Sequence, residues 1–181
     1  MFTTEHIHLD DRNDYFEFAL NKVSEVINGM SFCGSGSMSE VWGNSSDSFV
    51  YKIVKGNDIG YFNYLREINK ADPDNPFLPK IFSVIIYSFL GRPIRTIVKM
   101  EKLNRFNWES PAHEELDKLS RMIAKNHPIS IFQSRQRRKQ LNELRETVRN
   151  AMDSDAIRFD LHTGNWMIRG EHQLVLIDPL I

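Results

Sequence analysis

Three polar residues near the end of the chain have the types and spacing of a phosphoryl-transfer site. Asp160-Leu161-His162-Thr163-Gly164-Asn165 sets a carboxylate five residues ahead of an amide. Asp178 follows thirteen residues after that amide, behind the apolar run Leu174-Val175-Leu176-Ile177. Moving a phosphoryl group calls for a carboxylate that orients or accepts the proton of an acceptor hydroxyl, and for hard oxygen ligands that hold magnesium. Asp160 suits the first task, and Asn165 and Asp178 the second. Each alone also has a plainer role, Asp160 in an Asx-turn and Asn165 as the cap of a short hairpin.

Further upstream, Gly34-Ser35-Gly36-Ser37-Met38-Ser39 lies between Phe32 and Val41-Trp42. It reads either as a flexible hairpin turn or as a glycine-rich loop whose bare backbone N–H groups can approach a phosphate. Lys52 stands on the next strand, where a phosphate-pairing lysine would be placed, and an edge-strand lysine facing water is the plainer account. Glu67, on the helix after it, has the charge to hold that lysine.

These residues need a scaffold, and 181 residues suffice for one domain with a sizeable core. Hydrophobic residues make up 41% and charged residues 26%, ordinary globular usage that argues against disorder. A formal charge of −1 disfavours a protein that binds nucleic acid by blanket positive field. The single cysteine, Cys33, excludes an intramolecular disulfide or a cysteine-based zinc cluster, and reads as a small buried hydrophobe. No apolar run is long enough to span a bilayer, and the first residues show no secretory pattern, so a cytoplasmic location is expected.

Phe16, Leu20, Val23 and Ile27 predict a helix capped within Asp10–Asn13 and ended by Gly29. Strands are predicted on both sides of the glycine run and over Phe49–Val54, then a helix over Ile59–Ala71. A hairpin is predicted from about Ile81–Phe89 and Ile94–Met100. Leu116, Leu119 and Ile123 mark one later helix, Leu141, Leu144, Val148 and Met152 another, and short strands Trp166–Ile168 and Leu174–Ile177 close the chain. The phenylalanines read as core. The layout is α+β in two lobes, a β-rich lobe at about 30–103 and a reduced, mostly helical one at about 104–181.

In order and spacing these motifs resemble the protein-kinase superfamily over about residues 30–181. Gly34-x-Gly36-x-x-Ser39-x-Val41 resembles the nucleotide loop, so Gly34, Ser35, Gly36, Ser37 and Val41 would line ATP. Val50-Tyr51-Lys52 resembles the strand that carries the phosphate lysine, with Glu67 as its partner. Met100, Glu101 and Leu103 fall where the hinge would hold adenine. Asp160, Asn165 and Asp178 resemble the catalytic aspartate and the two magnesium ligands. Arg158-Phe159-Asp160-Leu161-His162-Thr163-Gly164-Asn165 and the ending Ile177-Asp178-Pro179 resemble the early serine/threonine kinases of Teseptimavirus-type phages. That resemblance implies host bacterial proteins as substrates, in the host cytoplasm. The Asp-Leu-His-x-Gly-Asn string is also similar to small-molecule phosphotransferases, and a non-catalytic pseudokinase that inhibits a host protein is the alternative from another class.

Departures from the family pattern are specific. Arg158-Phe159 replaces the usual His-Arg before Asp160, and Pro179 replaces the phenylalanine after Asp178. His162 stands where a lysine is usual and would face the transferred phosphate. The sequence continues only three residues past Asp178, so it includes no activation segment after that residue. Arg135, Arg137, Arg138, Lys139, Arg145 and Arg149 read as a solvated helix face, or more sharply as a docking strip for an acidic partner or nucleic acid. His6, His8, His113, His127 and His172 read as surface residues. Glu109, Glu114, Glu115 and Asp117 read as an ordinary acidic helix start.

Overall fold

The computed structural model describes residues 1–9, 14–56, 58–106, 112–125, 134–152 and 157–180. The predicted cap at 10–13, His127 and Glu109 lie outside the described residues, as does the side chain of His113. The described residues are mixed α+β, with a six-stranded sheet, a three-stranded sheet and four helices. It divides into two compact units, one from Phe2–Asp58 and Lys80–Lys102, the other from Met1, Ile59–Pro79 and Leu103–Ile181.

The first unit holds β1 (Thr3–Leu9), α1 (Tyr15–Ile27), β2 (Ser31–Ser35), β3 (Ser39–Gly43) and β4 (Phe49–Lys55), then β5 (Ile81–Phe89) and β6 (Arg92–Glu101). Its sheet runs in the order β1-β5-β6-β4-β3-β2, antiparallel except where β1 lies parallel to β5. Leu90 and Gly91 both have positive φ, 49° and 75°. That is the backbone a two-residue hairpin needs to match strand twist, and it starts β6 two residues earlier than predicted. Pro93 is tolerated inside β6 because the register slips beside it, between Tyr87 and Ser88.

Helix α1 covers one sheet face through Ala19 and Val23, which cluster with Ile53, Tyr87 and Ile97. Val26 and Ile27 pack at the edge of that cluster. The buried stripe is therefore rotated from the predicted one, and Phe16 and Leu20 are exposed. Small Ala19 lets the helix sit close to the sheet, while the Phe16 ring turns outward under the Arg95 guanidinium, 4.9 Å from its centroid. Phe18, Phe32 and Phe82 are exposed as well, so the phenylalanines are not mainly core; Phe77 is the fully buried one among the core residues. Cys33 is also exposed, at the register slip in β2 that removes it from strand pairing.

The second unit holds α2 (Ile59–Ile68), β7 (Asn104–Arg105), α3 (Ala112–Lys125) and α4 (Arg135–Ala151). Its chain closes with a 3₁₀ turn (Thr163–Asn165), β8 (Trp166–Arg169) and β9 (Gln173–Leu176). Helix α2 ends three residues before the predicted Ala71. The N–H groups of Lys70 and Ala71 bond back to Glu67 in a tightened last turn, because Asp72 precedes Pro73 and is pushed out of helical backbone. The helices bury Tyr61, Tyr64 and Leu65 of α2, Leu119, Met122 and Ile123 of α3, and Leu141, Leu144 and Val148 of α4. Leu174, Val175 and Leu176 of β9 are buried in the same unit. No helix is long and apolar enough to cross a membrane among the described residues.

Candidate active site

Hairpin arithmetic brings the three tail residues together. Antiparallel pairing of Trp166 with Leu176 puts Asn165 opposite Ile177, and the Ile177 N–H donates to the Asn165 carbonyl at 2.9 Å. Asp178 therefore leaves β9 at the end of the hairpin where Asn165 enters β8. Asp160 is drawn to the same end, because its N–H donates to the Pro179 carbonyl at 2.7 Å and Phe159 bridges Leu180. The Asn165 Nδ2 then donates to both the backbone carbonyl (2.7 Å) and Oδ2 (3.0 Å) of Asp160. One amide thus fixes the carboxylate through its Nδ2.

His162 has a local partner as well. Its Nδ1 accepts a hydrogen bond from the Gly164 N–H at 2.9 Å, capping the 3₁₀ turn. The ring must then carry its proton on Nε2, which stands 3.4 Å from Asp160 Oδ2. The imidazole stands beside the carboxylate and is held there by the turn it caps. Gly164 makes this possible, since a Cβ there would stand 2.6 Å from His162 Cε1 and 2.9 Å from Nδ1. Gly164→Ala is expected to expel the ring and remove the cap, costing about 1 kcal/mol of stability in urea unfolding.

The hairpin is anchored from β9 and β8. The Leu176 N–H donates to the Phe77 carbonyl at 3.0 Å, and its carbonyl accepts from the Tyr64 hydroxyl at 2.7 Å. The Arg169 guanidinium donates to the carbonyls of Pro76 (2.8 Å) and Leu78 (2.9 Å). Tyr64 and Arg169 were not singled out from sequence, since neither has a local pattern and their partners lie about 90 to 110 residues away.

Burial, with a smaller contribution from the Asp178 charge, pushes the Tyr64 hydroxyl well above its ordinary value of 10.0. The unfolded chain releases that proton first, so stability is held below pH about 10 and lost as pH rises toward the folded value. Tyr64→Phe is expected to cost about 1 kcal/mol at neutral pH, through the unpaired Leu176 carbonyl. It is also expected to make the alkaline loss of stability shallower. Urea melts at pH 8 and 10.5 check both.

The remaining expected residues are placed as follows. Lys52 lies on β4 between Val41 and Val98 and is only 6% exposed, so it is not a lysine simply facing water. An ammonium at this depth is a costly choice unless its charge is used. Glu67, 7% exposed, lies on α2 in the other unit, where its Oε1 accepts from Lys70 Nζ at 2.7 Å and Arg66 Nε at 3.3 Å. Gly34 and Ser35 end β2, Gly36 and Ser37 form the turn, and Gly36 N–H donates to the Ser39 carbonyl at 2.8 Å. Gly34 pairs with Val41 on β3. Met100 is buried on β6, and the Glu101 N–H is committed to the Lys80 carbonyl at 2.9 Å. Leu103 begins the last stretch of the helical unit.

Among the described residues no group of three or more His, Cys, Asp or Glu side chains forms a metal site. Magnesium does not require one, since it commonly takes one or two side-chain oxygens and completes its shell with phosphates and water. Asn165 Oδ1 and the Asp178 carboxylate provide a donor set of that kind. Comparison of the chain with protein-family models and with curated proteins finds no match.

Proposed function

We propose that the chain is a kinase-like phosphotransferase of two lobes that moves the γ-phosphate of ATP-Mg to a serine or threonine hydroxyl of a host bacterial protein. The observation that carries the reading is the convergence of Asp160, Asn165 and Asp178 on one end of the β8–β9 hairpin. Asp160, held by Asn165 and His162, would orient the acceptor hydroxyl and receive its proton. Asn165 and Asp178 would hold magnesium, which when bound neutralises phosphate charge. Lys52 would pair with the phosphates and Glu67 would position it. Fixed carboxylates and amides of this kind contribute through positioning and preorganised charge rather than covalent chemistry.

The glycine loop fits a nucleotide role for a steric reason. Gly36 does not have positive φ, and a Cβ there would make only an ordinary 3.5 Å contact with Ser39 Oγ. The hairpin itself does not demand glycine at this position, whereas a backbone approached closely by an anion does. Gly34, Ser35, Ser37 and Val41 would complete that cover, with Met100, Glu101 and Leu103 at the base.

Thermal unfolding with ATP, with and without magnesium, tests the binding half of the proposal. At nucleotide near 100 times Kd, ATP-Mg should add about 2.7 kcal/mol to wild type. Asp178→Ala should lose the magnesium-dependent part. No stabilisation of wild type would contradict the proposal.

A further inference from the structure

Helix α4 buries Leu141, Leu144, Thr147, Val148 and Ala151. A different face lines an open groove of ≈ 570 Å³ through Arg135, Arg138, Lys139, Asn142, Glu143 and Glu146. Part of the charge around this groove belongs to the fold. Arg137 pairs with Glu115 and lies over the Phe77 ring, 5.3 Å from its centroid. Both oxygens of Glu143 are engaged, Oε1 by the Asp72 N–H (2.7 Å) and Oε2 by Asn75 Nδ2 (2.8 Å).

Arg135, Arg138 and Lys139 are different. All three are exposed, and none has an ion pair or side-chain hydrogen bond among the described residues. They occupy the first turns of a helix whose first turn has no acidic residue, where the helix dipole disfavours cations. The fold gains nothing visible from this clustering, and an unfavourable local choice without internal compensation marks a functional surface.

The groove also has a direction. Three cations lie at one end and the exposed Glu146 carboxylate lies eight residues beyond Arg138, about 12 Å along the helix axis. That distance matches about four residues of extended peptide. We infer that this groove docks an extended acidic segment of a partner protein, with the acidic residues over Arg135, Arg138 and Lys139 and a basic residue at Glu146. A nucleic acid strand fits less well, because its uniform negative charge would meet Glu146. None of these residues lies in the 160–178 hairpin, so docking and phosphate transfer are separable by mutation.

Fluorescence anisotropy of the full chain tests this, using a fluorescein-labelled hexapeptide of sequence Asp-Glu-Glu-Gly-Ser-Lys. Wild type should bind it saturably, and more weakly as salt rises from 50 to 200 mM. The pair Arg138→Glu and Lys139→Glu should weaken binding at least tenfold. The milder Arg138→Gln should weaken binding of the acidic peptide several-fold, and circular dichroism should show unchanged helix content in each variant. No binding by wild type, equal binding by the double variant, or tighter binding of a ten-residue oligothymidylate than of the peptide would overturn the inference.

Discussion

Asp160→Ala is expected to lower γ-phosphate transfer by roughly 10²- to 10⁴-fold while leaving ATP-Mg binding largely intact. The carboxylate is held from two sides, by Asn165 Nδ2 at 3.0 Å and by His162 Nε2 at 3.4 Å, both on Oδ2. Its other oxygen, Oδ1, has no such brace on these atoms and is the natural acceptor for a substrate hydroxyl proton. The backbone of Asp160 keeps its bonds to Pro179 and Asn165 whatever its side chain, so the loop should survive the substitution. Single-turnover transfer and nucleotide titration on the same sample separate the two effects. A variant that transfers at the wild-type rate would remove Asp160 from the chemistry.

The largest expected loss of stability comes from a different residue. Asn75 is 3% exposed and all of its side-chain polar groups are used. Its Nδ2 donates to the Gln140 carbonyl (2.9 Å) and Glu143 Oε2 (2.8 Å), and its Oδ1 accepts from the Phe77 N–H (3.1 Å). Asn75→Asp keeps the shape and the acceptor but removes both donor bonds and sets a carboxylate against Glu143. We expect a cost of about 3 kcal/mol, since buried partners are left unpaired. The unfolding midpoint should fall by about 6 to 12 °C. The effect should shrink when pH is lowered far enough to protonate the new carboxylate. Calorimetry at pH 7 and 4.5 measures it.

The legible parts of this protein were those set by short-range rules. The spacing of Asp160, Asn165 and Asp178 implied a loop followed by a strand pair, and a four-residue hairpin closes that distance by register alone. Helices α3 and α4 were legible because Leu119 and Ile123, and Leu141, Leu144 and Val148, keep helical spacing and are all fully buried. Strand β1 was not foreseen. Its Thr3-Thr4-Glu5-His6-Ile7-His8-Leu9 has no strong apolar alternation, and the pairing that defines it is with β5, some 80 residues away. His8 gained a role the sequence did not suggest, its Nδ1 lying 2.9 Å from Ser88 Oγ. The orientation of α1 was misjudged because Phe16 and Leu20 fall at helical spacing with Val23 and Ile27, whereas close packing against the sheet favoured the small Ala19. The capping of the 3₁₀ turn by His162 was not legible, because a side-chain bond from the Gly164 N–H depends on backbone geometry that residue types do not reveal.

Transfer of labelled γ-phosphate from ATP-Mg, with bacterial lysate as acceptor, tests the central claim most directly. The account predicts label on serine or threonine of lysate proteins with wild type, and its loss with Asp160→Ala under the same conditions. Absence of label from wild type, on itself and on every lysate protein, while ATP-Mg still stabilises the fold, would contradict a protein kinase and leave a nucleotide-binding protein of another kind.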